Sequence, residues 1–163
     1  MGKIKIAVVG CGRISAKHFE AIQQHSNSLE LVALCDTNKK VLNEHTIKFN
    51  VDGYTSMLEM LNSAKIDIVA ICTPSGLHPD QAELAAKHKV HVITEKPMAT
   101  RWKDGLRMVK ACDNAGVRLF VIKQNRKNST LQLLKRAISE KRFGKIHMVN
   151  INVFWTRPQE YYD

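Results

Sequence analysis

The feature that most constrains the fold is a short apolar segment followed at once by a glycine-rich turn. Residues 3–9, Lys-Ile-Lys-Ile-Ala-Val-Val, are rich in β-branched side chains and predict a buried strand. The turn Gly10-Cys11-Gly12-Arg13-Ile14-Ser15 follows directly, and the pattern from about Arg13 to His25 predicts a helix. A strand, a glycine turn and a helix start, in this order, are typical of a dinucleotide-binding site.

Each position of the turn has its own physical role. Gly10 allows the tight turn off the strand, and Gly12 has no Cβ to block a pyrophosphate. The backbone N–H groups that open the helix, at Arg13 and Ile14, are expected to face the phosphates. Ser15 stands where the motif has a third Gly or Ala, and its small side chain still allows close packing of the helix on the strand. Taken alone, the segment is also compatible with an ordinary glycine-rich turn.

The next predicted strand, Leu29–Cys35, supports the dinucleotide interpretation. It ends in Asp36, which lies 24 residues after Gly12 and near the expected offset. An acidic side chain there can accept hydrogen bonds from both ribose hydroxyls of the adenosine and would repel a 2′-phosphate. NAD is therefore favoured over NADP, although Lys39 and Lys40 are near enough to keep NADP open.

The first 123 residues alternate between strand-like and helix-like segments. This alternation predicts parallel βαβ units with right-handed crossovers, and hence a doubly wound α/β sheet of the Rossmann type over residues 1–123. Ligands bind such sheets beyond the carboxyl ends of the strands, where this sequence has its polar and glycine-rich residues. The predicted strands are residues 3–9, 29–35, 51–54, 66–72, 90–93 and 119–122.

The pattern changes after the sheet. Asn128 can cap a helix from about Ser129 to Lys141, and residues 146–155 alternate as a long strand that has no visible partner. We interpret residues 124–163 as the first helix and strand of a truncated α+β substrate and oligomerisation domain. Trp155 then lies either in the core of a second sheet or against the substrate.

Composition limits the class of protein. Of the 163 residues, 44% are hydrophobic and 25% are charged, which is ordinary for a globular protein. No apolar run approaches the ~20 residues of a membrane helix, and no signal peptide is visible, so we expect a cytoplasmic protein without membrane contact. The four cysteines show no metal-ligand spacing, which predicts free thiols and no metal site.

The net charge of +10 calls for an anionic partner or a solvated surface. Basic residues crowd residues 123–145, which would suit nucleic acid or a polyanionic small molecule. Most of them alternate with apolar residues at helical spacing, which is typical of a solvated helix face. The small-molecule interpretation is therefore favoured, with nucleic acid as the minor alternative.

Taken together, these stretches resemble the Gfo/Idh/MocA oxidoreductases over essentially the whole chain. The telling segments are Gly10–Ile14 with His18 one turn on, Pro74-Ser75-Gly76-Leu77-His78-Pro79, and Glu95-Lys96-Pro97 after a short strand. Within the family, residues 94–102, 121–126 and 153–163 are similar to bacterial 3-dehydrogenases of UDP-2-acetamido-2-deoxyglucuronate, which act in lipopolysaccharide biosynthesis. The resemblance implies a UDP-sugar substrate, NAD as cofactor, a homo-oligomer, and a second domain that completes the sugar site.

The resemblance also implies a set of site residues. Removing a hydride from a secondary alcohol requires the hydroxyl proton to leave, and the amine of Lys96 is the candidate to accept or relay it. A surface lysine beside a turn proline is the structural alternative. A cis bond before Pro97 is expected to aim Lys96 into the cleft. The cofactor candidates are Gly10, Gly12, Arg13, Ile14, Asp36, Thr73, Pro74, Ser75, His78, Glu95, Lys96 and Gln124, and the substrate candidates are Lys96, Arg126, Trp155, Arg157 and Tyr161.

Three alternatives stay open from the sequence. His18 is more typical of a packed helix residue than of a catalyst, and His78 suits a structural capping role nearly as well as cofactor contact. The chain also suits another sugar or cyclitol dehydrogenase of the same family. A non-catalytic NAD-binding interaction module, with its unpaired strand joined to another chain, is the alternative from a different class.

Overall fold

The computed structural model describes residues 2–161, and six strands in them form one sheet. Five pairings, all parallel, join neighbouring strands. The strands are β1 Ile4–Val9, β2 Leu29–Cys35, β3 Asp52–Tyr54, β4 Ile68–Ile71, β5 His91–Thr94 and β6 Leu119–Val121. Their spatial order, β3-β2-β1-β4-β5-β6, is that of a doubly wound Rossmann sheet and confirms the predicted fold class.

Five helices connect these strands, and local capping residues define several of their ends. They are α1 Ser15–Gln24, α2 Lys39–Phe49, α3 Met57–Ser63, α4 His78–Lys87 and α5 Trp102–Ala115. The Asn38 side chain accepts hydrogen bonds from the amides of Lys40 and Val41, and Ser56 Oγ accepts one from Glu59. No helix within residues 2–161 has the length and apolar character needed to cross a membrane.

The core lies in two layers, one on each face of the sheet, because successive side chains of a strand point to opposite faces. From β1, Ile6 and Val8 enter the layer under α1 and α2, and Ala7 and Val9 enter the layer under α3, α4 and α5. The first layer includes Phe19, Ile22, Leu34 and Leu42, and the second includes Met57, Met60, Ala82, Ala85, Met108 and Cys112.

The rotation of α5 differs from the sequence prediction. The apolar spacing predicts a buried stripe through Trp102, Leu106, Val109 and Cys112, but Trp102 is 82% exposed and only Cys112 of the four is buried. The buried face instead runs through Gly105, Met108 and Cys112. At Gly105 a Cβ would lie 3.0 Å from Cε of Met98, so this turn of the helix lies close to that side chain.

The chain divides into two compact units, residues 1–123 and residues 124–163. The second unit contains a 3-10 turn, Gln124–Lys127, then helix α6, Ser129–Ser139, capped by Asn128, and a short 3-10 turn at Gln159–Tyr161. The predicted strand over residues 146–155 is wrong, because these residues form no regular secondary structure. A strand needs a neighbour to pair with its backbone groups, and the described residues provide none.

Candidate functional site

The carboxyl ends of β1, β2 and β4 meet at one edge of the sheet and enclose a cleft of about 370 Å³. The sheet order places β1 between β2 and β4, so the segments that follow these three strands lie side by side. Most of the predicted cofactor residues of the first unit belong to this edge. The lining residues include Gly10, Gly12, Asp36, Thr73 and Pro74, together with Thr37, Thr55, Leu77 and Gln81.

The glycine turn after β1 has the shape that a dinucleotide requires. Gly10 has a φ of +88°, and a Cβ there would lie 2.9 Å from backbone atoms of Cys72 and Thr73. At Gly12 a Cβ would meet nothing within 4 Å, so the space above this residue is open to a ligand. The turn is therefore packed tightly against β4 on one side and open on the side where a pyrophosphate would approach.

Helix α1 begins directly beyond this turn, with its first amides near the cleft. Ser15 is fully buried, and its Oγ donates a hydrogen bond to the Gly12 carbonyl at 2.6 Å. The small hydroxyl thus takes the packing position of the third small residue of the motif, as predicted. No side chain caps the helix at Ile14, and both Arg13 and Ile14 are exposed. The uncapped amides and the helix dipole favour an anion at this end.

Asp36 is held in place by two backbone amides. Its Oδ2 accepts a hydrogen bond from the Cys11 N–H at 2.7 Å, and its Oδ1 accepts one from the Asn38 N–H at 2.8 Å. Each carboxylate oxygen keeps a further lone pair for a ribose hydroxyl. Lys39 and Lys40 line a separate open pocket beside α2. The carboxylate is thus fixed between the glycine turn and the start of α2.

The segment after β4 contributes one residue that the sequence only partly anticipates. Pro74 is exposed at the cleft, Ser75 is half-buried, and Thr73 Oγ1 donates a hydrogen bond to the Gln81 side chain. His78 is fully buried at the first position of α4. Its Nδ1 lies 3.0 Å from the Pro97 carbonyl oxygen and its Nε2 lies 2.9 Å from that of Thr73. The imidazole therefore joins the segments that follow β4 and β5.

The segment after β5 carries the predicted catalytic lysine. The Glu95 amide donates to the Ile71 carbonyl at 3.1 Å, which ties this segment to the end of β4. Glu95 is buried, whereas Lys96 is exposed to solvent. The Lys96–Pro97 peptide bond is cis, which confirms the expectation for this bond. The lysine therefore sits at the carboxyl edge of the sheet with an accessible side chain.

The Glu95 carboxylate has a partner that the sequence does not predict. Glu95 Oε1 lies 2.9 Å from His18 Nε2, and both side chains are close to 90% buried. His18 belongs to α1, one helical turn beyond the glycine motif, where the sequence favours a packing role over a catalytic one. The two residues are 77 positions apart in the chain. Local patterns carry no signal for such a contact.

Five of the predicted residues lie in the second unit, which is a compact unit by itself. Gln124 and Arg126 are exposed in the 3-10 turn, where the Gln132 amide donates to the Arg126 carbonyl. Trp155 is 73% exposed, and the Arg157 guanidinium lies 4.5 Å from the centre of its ring. The side chain of Tyr161, the fourth predicted substrate residue of this unit, falls outside the described part of the structure.

Three cysteines lie near the cleft, and their thiols are unreactive. Burial, with the nearby Asp36 carboxylate as the second cause, raises the pKa of Cys11 to about 12 and that of Cys35 to about 11. Burial and the Glu95 carboxylate raise the pKa of Cys72 to about 12. All four cysteines are free, as predicted. Because the thiolate is the nucleophile, these thiols are inert at neutral pH.

Three features of this edge fit a bound dinucleotide: the open space at Gly12, the anchored carboxylate of Asp36 and the uncapped start of α1. They define the class of this unit, an NAD-binding Rossmann domain. The comparison with protein families agrees. Residues 4–123 match the Gfo/Idh/MocA family, described as "Oxidoreductase family, NAD-binding Rossmann fold". The chain belongs to this family, which confirms both the resemblance and NAD as the cofactor.

Individual relatives are similar over most of this chain. The WlbA dehydrogenase of Bordetella pertussis, crystallised with NADH and UDP-GlcNAcA, is 56% identical with a TM-score of 0.96, and the match covers 99% of this chain and 49% of that one. The D-apiose dehydrogenase of Paraburkholderia graminis is 34% identical, covering 87% of this chain and 38% of its own. The myo-inositol 2-dehydrogenase of Thermotoga maritima is 30% identical, covering 91% and 44%. The chain thus spans less than half the length of these relatives.

Proposed function

We propose that this chain is the NAD-binding part of a dehydrogenase that oxidises carbon 3 of UDP-2-acetamido-2-deoxyglucuronate, or UDP-GlcNAcA. The observation that carries the proposal is the 56% identity to WlbA over 99% of this chain, since that enzyme was crystallised with NADH and UDP-GlcNAcA. The dehydrogenases of D-apiose and myo-inositol are only 34% and 30% identical. The nucleotide sugar is therefore favoured over a free sugar or a cyclitol.

The residues of the sheet edge suit this chemistry. When bound, NAD accepts the hydride that leaves the sugar carbon. Lys96 supplies the other half of the reaction, because its exposed amine can accept the hydroxyl proton as the carbonyl forms. Gly10, Gly12 and the start of α1 hold the pyrophosphate, and Asp36 accepts hydrogen bonds from the adenosine ribose. The buried Glu95 beside Lys96 borders the nicotinamide ribose.

The second unit supplies candidates for the substrate. A UDP-uronate carries charge on two phosphates and a carboxylate, and arginine binds such groups through paired N–H donors. Arg126 and Arg157 are both exposed, and Arg157 stacks on Trp155. We assign these three residues, with Tyr161, to the sugar-nucleotide site, and Gln124 to the nicotinamide end of the cofactor. They account for part of the basic excess of the sequence.

Cofactor binding is tested on the chain itself by calorimetry. NADH is expected to bind with micromolar affinity and more tightly than NADPH, because Asp36 repels a 2′-phosphate. Gly12→Val should abolish binding without loss of fold, since its Cβ meets no protein atom. Gly2→Val, which is equally unhindered, is the matched control. A wild-type chain that binds no NADH, or prefers NADPH, contradicts the proposal.

Catalysis is tested in the whole protein that contains this chain. UDP-GlcNAcA should be oxidised in preference to D-apiose and myo-inositol, and Lys96→Ala should remove turnover while NADH still binds. Lys103→Ala, an exposed lysine on α5, should leave the rate unchanged. Wild-type turnover in Lys96→Ala excludes this lysine from proton transfer. Preference for a free sugar or a cyclitol assigns the protein to another branch of the family, and NADH binding without turnover of any of these favours a non-catalytic module.

A further inference from the structure

Two histidines from different helices contact the residues on either side of Lys96. His18 of α1 contacts the Glu95 carboxylate with its Nε2 at 2.9 Å. His78 of α4 contacts the Pro97 carbonyl oxygen with its Nδ1 at 3.0 Å. Lys96 is the exposed residue between these two anchored neighbours.

We propose that His18 and His78 are positioning residues that fix the backbone of Lys96, and thus its amine, at the carboxyl edge of the sheet. The inference rests on the proposed function, in which Lys96 accepts the substrate proton. Neither histidine is assigned a contact with a reacting atom. Both act through the three-residue segment Glu95–Pro97.

The His18 contact determines what the Glu95 carboxylate can do. One oxygen is bound to His18, and the other accepts a hydrogen bond from the Lys96 backbone N–H at 3.3 Å. Both side chains are about nine-tenths buried, at 12% and 11% exposure, so the contact is shielded from water. The carboxylate thus joins the His18 ring, through one oxygen, to the backbone of Lys96, through the other. Loss of the imidazole removes the contact that holds the first oxygen in place.

The His78 contacts connect the segments that follow two neighbouring strands. The ring lies between the carbonyl oxygens of Thr73, after β4, and Pro97, after β5. A neutral imidazole can donate to one of these oxygens, and a protonated one can donate to both. His78 is 0% exposed, so no water replaces a lost contact. The ring therefore sets the spacing between the cleft wall and the segment that carries Lys96.

Such bracing matters for rate more than for cofactor affinity. Proton and hydride transfer need aligned groups, and a displacement of about 1 Å can cost about a hundredfold in rate. The pyrophosphate and adenosine contacts depend on Gly10, Gly12 and Asp36, which neither histidine touches in the described structure. A positioning role therefore predicts a fall in kcat with little change in NADH affinity.

The test compares variants of the whole protein. His18→Leu is expected to lower kcat about tenfold to a hundredfold and to change the Kd for NADH less than about twofold. His18→Gln keeps an N–H donor for Glu95 and should restore most of the rate. His78→Gln should lower kcat about as much as His18→Leu does. The matched control is His88→Gln, because His88 also has both ring nitrogens engaged, with Leu84 and Asn62, at the opposite end of α4.

Combination with Lys96→Met separates this inference from the proposed function. If His18 acts through Lys96, His18→Leu should change the residual rate of Lys96→Met less than about twofold. The positioning role is overturned if His18→Leu lowers the rate of the double variant by the same factor as it lowers that of the wild type. It is also overturned if both His18→Leu and His78→Gln keep wild-type kcat while Lys96→Met loses almost all turnover. Wild-type turnover in Lys96→Met instead refutes the role of Lys96. If His18→Leu does not fold, His18→Asn, whose shorter amide does not reach Glu95, replaces it with the same expected loss.

Discussion

The two units of this chain differ in how far their apolar side chains are buried. In residues 1–123, Val8, Leu34, Met60 and Met108 are fully buried. In residues 124–160 no side chain is buried, and Met148 and Phe154 are 85% and 90% exposed. Apolar content alone therefore does not determine burial. What separates the two units is whether each element finds a neighbour to pack against.

The physical basis of the difference is pairing. Each strand of the first unit gains backbone hydrogen bonds from at least one parallel neighbour, and the helices then cover both faces of the sheet. In the second unit α6 is amphipathic in sequence but has no buried residue. An isolated helix or strand of this length gains little stability from its own hydrogen bonds. The buried core of the described residues therefore lies in residues 1–123.

The largest expected effect compares one apolar truncation in each unit. Met108→Ala removes a side chain with 0% exposure and should lower the free energy of unfolding by about 2–5 kcal/mol. Ile151→Ala, at a side chain 80% exposed, should change it by less than about 0.5 kcal/mol. Urea unfolding followed by circular dichroism measures both values. Similar losses for the two variants would contradict the difference in burial between Met108 and Ile151.

The second comparison is between the two glycines of the turn after β1. Gly10→Ala places a Cβ 2.9 Å from three backbone atoms at a φ of +88°. Left-handed strain and overpacking together should destabilise the unit by about 2–4 kcal/mol. Gly12→Ala, where a Cβ meets nothing, should cost less than about 1 kcal/mol. Equal stability of the two variants in urea would contradict the tight packing of the glycine turn on β4.

Alkaline pH should have a smaller effect on the free energy of unfolding. The part of this effect that comes from cysteines arises in the first unit, because all four cysteines lie there. Burial raises the pKa of Cys11 and Cys72 to about 12, from 9.0. The unfolded chain therefore loses these protons first, so the stabilisation is complete below about pH 9 and is lost as pH rises toward about 12. Unfolding free energies should fall by about 1 kcal/mol or more between about pH 8 and pH 10. Cys72→Ala should show a shallower decline, and a pH-independent stability would contradict the burial of these thiols.

Local signals predicted much of the first unit. Strand β2 has the predicted limits, Leu29–Cys35, and α2 and α3 begin at capping residues, Asn38 and Ser56, that a sequence shows directly. A cap is a contact between residues two or three positions apart, so the sequence shows both partners at once. The alternation of strands and helices then defines a parallel sheet, and the sheet places Gly10, Gly12 and Asp36 at one edge.

Contacts between distant residues were beyond such signals. The face that α5 buries carries Met108 and Cys112, which pack in the core with residues of other elements, and the helical spacing does not reveal these partners. The burial of His78 between two carbonyl oxygens and the pairing of His18 with Glu95 each join separate elements. At residues 146–155 a local signal is present, but it predicts a strand that the structure does not contain. Their pattern has the period of a strand, but a period does not supply the neighbour that a strand needs.

The anchoring of Asp36 has a consequence for anyone who wishes to change the cofactor preference. The carboxylate that we propose selects against a 2′-phosphate also accepts hydrogen bonds from the amide of Cys11, inside the glycine turn, and from that of Asn38, the cap of α2. Replacing it with a side chain that has no acceptor atom leaves both backbone donors without this partner. An engineered NADP-dependent form would need new acceptors for both amides as well as a positive charge for the added phosphate.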